Sequence, residues 1–211
     1  RRLLHVHWEL THRCNERCTH CYLDVRRPGA HTPGELSTDE CLEVVDQLAE
    51  LGVATVSFSG GEILVRRDFF VIAAHAHRRR FVLRLFTNGM AMTPRVADQI
   101  ADLHPYAVEI SLYGVDAVTH EAITQVPGSF ERTVSSLRSL HRRGVRTVMK
   151  TPLMHENVYQ VHQLRALADE LGAGFRIAMH REVQTVAAIQ PLRVHTRLMR
   201  GRRHHRHKAR T

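Results

Sequence analysis

No apolar run in the 211 residues approaches the ~20 that a membrane-spanning helix requires, and the N-terminus lacks the charged, then apolar, then small-residue order of a secretion signal. Cysteines number only four, and none follows Cys41. A disulfide framework is therefore excluded, and a reducing compartment, the cytoplasm, is expected. Internal repeats and low-complexity linkers are absent before the C-terminal stretch, so one domain is expected. Acidic residues stop at Glu182, whereas eight of the 30 Lys and Arg residues lie beyond it. The rest of the chain carries 22 basic against 21 acidic groups, so the net charge of +9 belongs to the tail. No aromatic residue accompanies those arginines for base stacking, which makes nucleic acid a poor candidate partner.

What is present is an alternation of strand-like and helix-like segments, the pattern of parallel strands covered by crossover helices. Strands read at 4–11, 53–59, 81–87, 107–113, 145–151 and 175–179. Helix starts are marked by Ser37 with Glu40 three residues on, by Asp68, and by Ser129, while Gly52, Gly144 and Gly172 mark helix ends. One face of each strand is apolar, as in Val6, Trp8 and Leu10 or Val108, Ile110 and Leu112. The other face holds His7, Glu9, Thr11, Ser57, Ser59, Arg84, Glu109, Ser111, Tyr113, Arg146 and Lys150. A closed eight-stranded barrel fills its lumen with branched apolar side chains. Six strands with a polar inner face therefore predict an α/β fold of incomplete (β/α)6 TIM-like barrel type, its interior a wet cavity. Lys150 in that cavity is read as facing either a ligand carboxylate or Glu109.

The most informative motif is Cys14-Asn15-Glu16-Arg17-Cys18-Thr19-His20-Cys21. Three thiolates on one short loop can hold three corners of an iron–sulfur cubane and leave one iron open. Alternatively, Cys14, Cys18 and Cys21 with His12 or His20 could close a tetrahedral zinc site. In that case the chain is a binding module, without catalysis, whose basic tail contacts nucleic acid. One strand later comes Ser59-Gly60-Gly61-Glu62. The glycine pair lets a ligand approach the backbone closely, and Glu62 offers a carboxylate to an ammonium group, so the loop suits an amino acid. Cys41 shares an apolar helical stripe with Val44, Val45 and Leu48 and is read as core. His75, His77 and His141 are read as surface residues.

Together with Trp8-Glu9-Leu10-Thr11, Leu85-Phe86-Thr87-Asn88-Gly89 and Glu109-Ile110-Ser111-Leu112-Tyr113-Gly114, these motifs make the chain resemble the radical S-adenosylmethionine (AdoMet) superfamily. The likeness is strongest to its SPASM-type peptide-modifying branch, and it spans roughly residues 3–177. It implies that Cys14, Cys18 and Cys21 ligate a 4Fe-4S cluster whose fourth iron takes the methionine part of AdoMet. It implies that Gly60, Gly61 and Glu62 contact the methionine amino group, that Asn88 and Ser111 lie near the ribose and carboxylate, and that His20 lies beside the adenine. The expected activity is formation of a 5'-deoxyadenosyl radical that abstracts hydrogen in peptide or cofactor-precursor maturation. The implied partners are a precursor peptide and a flavodoxin- or ferredoxin-type electron donor, with no membrane. No catalytic hydrogen donor or acceptor is assigned.

Three departures accompany the resemblance. Ile63 stands where the family usually has proline. Gln125 stands near a position where an arginine often pairs with the methionine carboxylate, and its neutral amide makes a weaker bond. The cysteine-rich SPASM domain, which binds auxiliary clusters, has no counterpart. The chain begins at Arg1, as a sequence starting inside a gene would, and residues 178–211 read as a basic tail, disordered or out of frame, after a core of 1–177.

Overall fold

A computed structural model describes residues 4–178 except Asp24, Arg26 and His31. Six strands form one parallel sheet whose spatial order is the chain order: β1 (His5–Thr11), β2 (Thr55–Gly60), β3 (Val82–Thr87), β4 (Ala107–Ser111), β5 (Thr147–Pro152) and β6 (Gly174–Ala178). The crossovers carry α1 (Thr38–Glu50), α2 (Phe69–Arg78), α3 (Pro94–Asp102), α4 (Ala117–Thr124), α5 (Ser129–His141) and α6 (Val161–Glu170). Among the described residues, β1 pairs only with β2 and β6 only with β5, so the barrel stays open. This is the partial barrel expected from the alternating pattern. The final expected strand residue, Met179, and the basic tail lie outside the described residues.

The core lies between the sheet and its helices. Val56, Phe58, Leu83, Leu85, Val108 and Ile110 on the strands are buried against Cys41, Val45, Ile72, Ala76, Ile100, Leu137 and Leu164 from the helices. Removing this apolar surface from water at about 25 cal/mol per Å² supplies the main driving force for the fold. Cys41 is a core residue, as its stripe indicated.

The capping signals fared unequally. Ser37 and Glu40 form the reciprocal capping box at α1. Asp68 occupies the N-cap position of α2, but its carboxylate accepts no hydrogen bond from the helix N–H groups and accepts instead from Thr38 and from the guanidinium of Arg66. Ser129 is not the cap of α5. Gly128, in a left-handed conformation, occupies that position, and the buried Ser129 hydroxyl bonds Thr124. Strand β4 ends at Ser111 rather than Tyr113, although Leu112 N–H still donates to Lys150 O at 3.1 Å, and Tyr113 just beyond it lies beside Cys18.

Candidate cofactor site

The strand C-termini place every expected site residue along one edge of the sheet. β1 delivers the cysteine loop, β2 the glycine pair, β3 Asn88, and β4 Ser111. The cysteine loop and the glycine loop are zipped together. Gly61 N–H donates to Thr11 O at 2.7 Å, and Glu62 N–H to Arg13 O at 2.8 Å. This contact is what requires glycine. Gly60 adopts φ +128°, and a Cβ there would press into the Thr11 carbonyl; a Cβ on Gly61 would sit 2.8 Å from Arg13 C and 3.2 Å from Cys14 Cβ. On its far side the cysteine loop rests on α4, with Arg17 N–H donating to Thr124 O at 3.0 Å and Thr19 N–H to Ile123 O at 2.9 Å.

Glu62 is fully buried, and its carboxylate is held by three donors. Leu64 N–H (2.9 Å) and the Thr87 hydroxyl (2.7 Å) reach Oε1, and Asn88 N–H (2.6 Å) reaches Oε2. Burial raises its pKa, and those hydrogen bonds oppose the rise. Glu62 thus ties the ends of β2 and β3 together. Asn88 is equally engaged: its side-chain amide donates to Asn15 Oδ1 at 2.7 Å and approaches Cys14 Sγ at 3.9 Å. Thr87, which orders both residues, did not stand out in the sequence because threonine is common at strand ends.

Around the sulfurs, Glu16 N–H points at Cys14 Sγ (3.4 Å), and Cys18 Sγ lies 3.3 Å from Glu16 Oε2 and 3.9 Å from the Tyr113 hydroxyl. Burial pushes the Cys14 thiol up to about 12 and Cys18 further. Glu16, pushed up to about 7 chiefly by burial, was not singled out from the sequence. Its only sequence signal is its place between two candidate ligands. Cys21 is the exposed member of the triad. His20 packs edge-on against Tyr113, ring centroids 4.8 Å apart, and Tyr113 in turn stacks on the buried His120 at 5.4 Å. Burial holds His120 down at about 4, and its Nδ1 accepts the Tyr113 N–H at 3.1 Å. The Ser111 side chain leans on the Tyr113 hydroxyl.

One expectation changes. Gln125 caps α4 at φ +59°, exposed, with its side-chain amide turned back onto Ala122 O, so it does not face the cofactor edge. In the lumen, Glu109 is paired with Arg84 and with Arg176 at 3.6 Å, while the Lys150 ammonium lies 4.9 Å above the Phe86 ring.

Zinc needs four ligands at about 2.0–2.3 Å, drawn tightly together. Among the described residues, no three His, Cys, Asp or Glu side chains converge closely enough to hold a single ion. His12 is directed at Glu9 (4.0 Å) and His20 at Tyr113. Three soft sulfur donors on one loop, with an N–H group aimed at one of them and a glycine floor too tight for any side chain, fit a cluster bound at three corners.

Comparison with known proteins decides the family. A family model described as the radical SAM superfamily matches residues 8–168. The chain belongs to the radical SAM superfamily. It is 36% identical over 175 residues to the mycofactocin maturase MftC of Mycobacterium tuberculosis, a match covering 82% of this chain and 44% of that protein. To the pre-heme d1 synthase of Dinoroseobacter shibae it is 34% identical over 167 residues, covering 79% and 41%. Among solved structures, Streptococcus suis SuiB bound to its precursor peptide SuiA superposes with a TM-score of 0.75 at 16% identity, covering 89% of this chain and 42% of that one. That likeness confirms the fold. The chain spans less than half the length of these relatives. Radical SAM membership implies AdoMet and an iron–sulfur cluster. Among the described residues no helix is long and apolar enough to cross a membrane.

Proposed function

We propose that the chain is the core of a radical SAM enzyme that carries a 4Fe-4S cluster on Cys14, Cys18 and Cys21 and acts in the maturation of a peptide or a peptide-derived cofactor. The observation that carries this reading is the packing of the Gly60–Gly61 backbone against Thr11, Arg13 and Cys14. It joins the three-sulfur loop directly to the glycine end of β2. When bound, cluster and AdoMet together supply one-electron cleavage to a 5'-deoxyadenosyl radical, chemistry that belongs to the cofactor.

The chain's own residues orient and enclose. The backbone of Gly60 and Gly61, with Glu62 behind it, receives the methionine amino group; Asn88 and Ser111 serve the ribose and carboxylate; His20, braced by Tyr113, covers the adenine. The polar lumen below, with Arg84, Glu109 and Lys150, receives the substrate. Support for a peptide substrate comes from MftC and from SuiB with its peptide SuiA. A flavodoxin- or ferredoxin-type protein supplies the electron, and the cytoplasm, which keeps the three thiols reduced, is the proposed location. The core runs through Ala178, the last residue of β6.

Anaerobic reconstitution with iron and sulfide tests the reading. The expected product is a brown protein that converts AdoMet to 5'-deoxyadenosine under dithionite, with both properties lost on Cys14→Ala, Cys18→Ala or Cys21→Ala. A colourless protein that takes zinc in preference to iron and sulfide would overturn it and favour the binding module.

A further inference from the structure

Glu16 is a buried acid whose hydrogen bonding is incomplete. It lies between two of the cluster-binding cysteines at 3% exposure, and its Oε1 has no hydrogen-bond partner. Oε2 faces the Cys18 thiol. The Asn88 amide gives its 2.7 Å hydrogen bond to Asn15 and reaches toward the Glu16 carboxyl as a second, weaker donor. Among the described residues, no lysine, arginine or histidine acts on Glu16, and the charge that does is Glu62, a second acid. Whether Glu16 is ionised or neutral, leaving a buried oxygen without a partner is unfavourable. Such a gap at a site built for a ligand points to a donor that the ligand brings.

The surroundings define that donor. Glu62 already accepts from Leu64, Thr87 and Asn88, so its oxygens are well satisfied before any ligand arrives. Glu16, Glu62 and Asn88 all flank Cys14: Glu16 N–H and the Asn88 amide point at its sulfur, and Gly61 packs on its Cβ. A ligand that docks beside Cys14 therefore meets Glu16 as the acid with an open acceptor. The amino group of an α-amino acid carries several N–H donors and positive charge, which suits an acidic, oxygen-lined corner.

Resting on the cofactor reading above, we propose that Glu16 is a cofactor-binding residue whose Oε1 accepts an N–H from the amino group of the AdoMet methionine, while Glu62 acts as a positioning residue that holds the β2 and β3 ends together. Three adenosyl ligands separate this role from others. AdoMet and S-adenosylhomocysteine share the α-amino acid portion; 5'-methylthioadenosine has the adenosyl sulfide without it.

The measurement is equilibrium binding of each ligand to the full chain, reconstituted with iron and sulfide, for wild type, Glu16→Gln and Glu16→Leu, with iron and sulfide contents determined in parallel. Expected are unchanged cluster contents and a ten- to hundredfold loss of affinity for AdoMet and S-adenosylhomocysteine in Glu16→Leu. Glu16→Gln should show a smaller loss, and 5'-methylthioadenosine should bind all three proteins alike. Equal affinities across the variants, or equal losses for all three ligands, would overturn the proposal. Loss of iron from both variants would overturn it too, assigning Glu16 to support of the cysteine loop. Wild-type protein that loads iron and sulfide but binds no AdoMet would sink the cofactor reading itself, a result independent of the variants.

Discussion

Replacing Glu62 by alanine would leave Leu64 N–H, the Thr87 hydroxyl and Asn88 N–H facing an apolar gap. With a buried carboxylate at the centre of the knot, we expect a loss of about 3 kcal/mol or more, read from the shift in denaturant midpoint. Thr87→Val removes one bond of the three and should cost about 1–2 kcal/mol in the same measurement. Gly61→Ala drives a methyl group toward Arg13 and Cys14, so its effect should fall on cluster loading, measured as iron per chain. Of these residues, the cysteines and glycines were legible in the sequence because their chemistry or their lack of a Cβ is unusual. Thr87 and Glu16 were not. Their importance comes from burial, and Glu16 is buried only because the cysteine loop is clamped between the glycine pair and α4.

Elements are joined at this edge by side chains that no periodicity reveals. Arg66, 4% exposed, donates to Leu10 O at the end of β1 and to Leu36 O before α1, both at 2.8 Å, and pairs with Asp68 and Glu35. Glu35 in turn holds Arg13 and accepts from Thr11 at 3.2 Å. The approach to the cysteine loop is thus pinned by one guanidinium. Arg66→Met leaves the Leu10 and Leu36 carbonyls without their donor and takes one partner each from Asp68 and Glu35, and breaking such a buried network should destabilise by about 3 kcal/mol, with iron content falling in parallel. This network also explains why Asp68 failed as a helix cap: a nearby guanidinium is a stronger partner for a carboxylate than a backbone N–H. Likewise Gln125 reads as a site residue by position, yet the left-handed end of α4 turns it outward.

For the whole molecule, pH should act through His120, packed between Tyr113 and Phe130. Its folded pKa, about 4, lies below the ordinary 6.5, so between those values the unfolded chain binds the extra proton. Stability from this group is complete above about 6.5 and falls as pH drops toward 4, by up to about 3 kcal/mol. Burial raises Glu16 and Glu62, which gives the opposite slope. The comparison that isolates His120 is therefore the pH dependence of unfolding for wild type against His120→Asn, in which the acid-side loss should shrink. The sequence alone determined the six-stranded parallel architecture, the three-sulfur loop and its glycine neighbour. Alternating strand and helix periods and thiol spacing are local properties, readable residue by residue. Only the tertiary structure decided which acid is saturated and which is left with an open oxygen, how Tyr113 comes beneath Cys18, and where Gln125 points. These follow from contacts between segments far apart in the chain, where burial and hydrogen-bond competition are settled by packing.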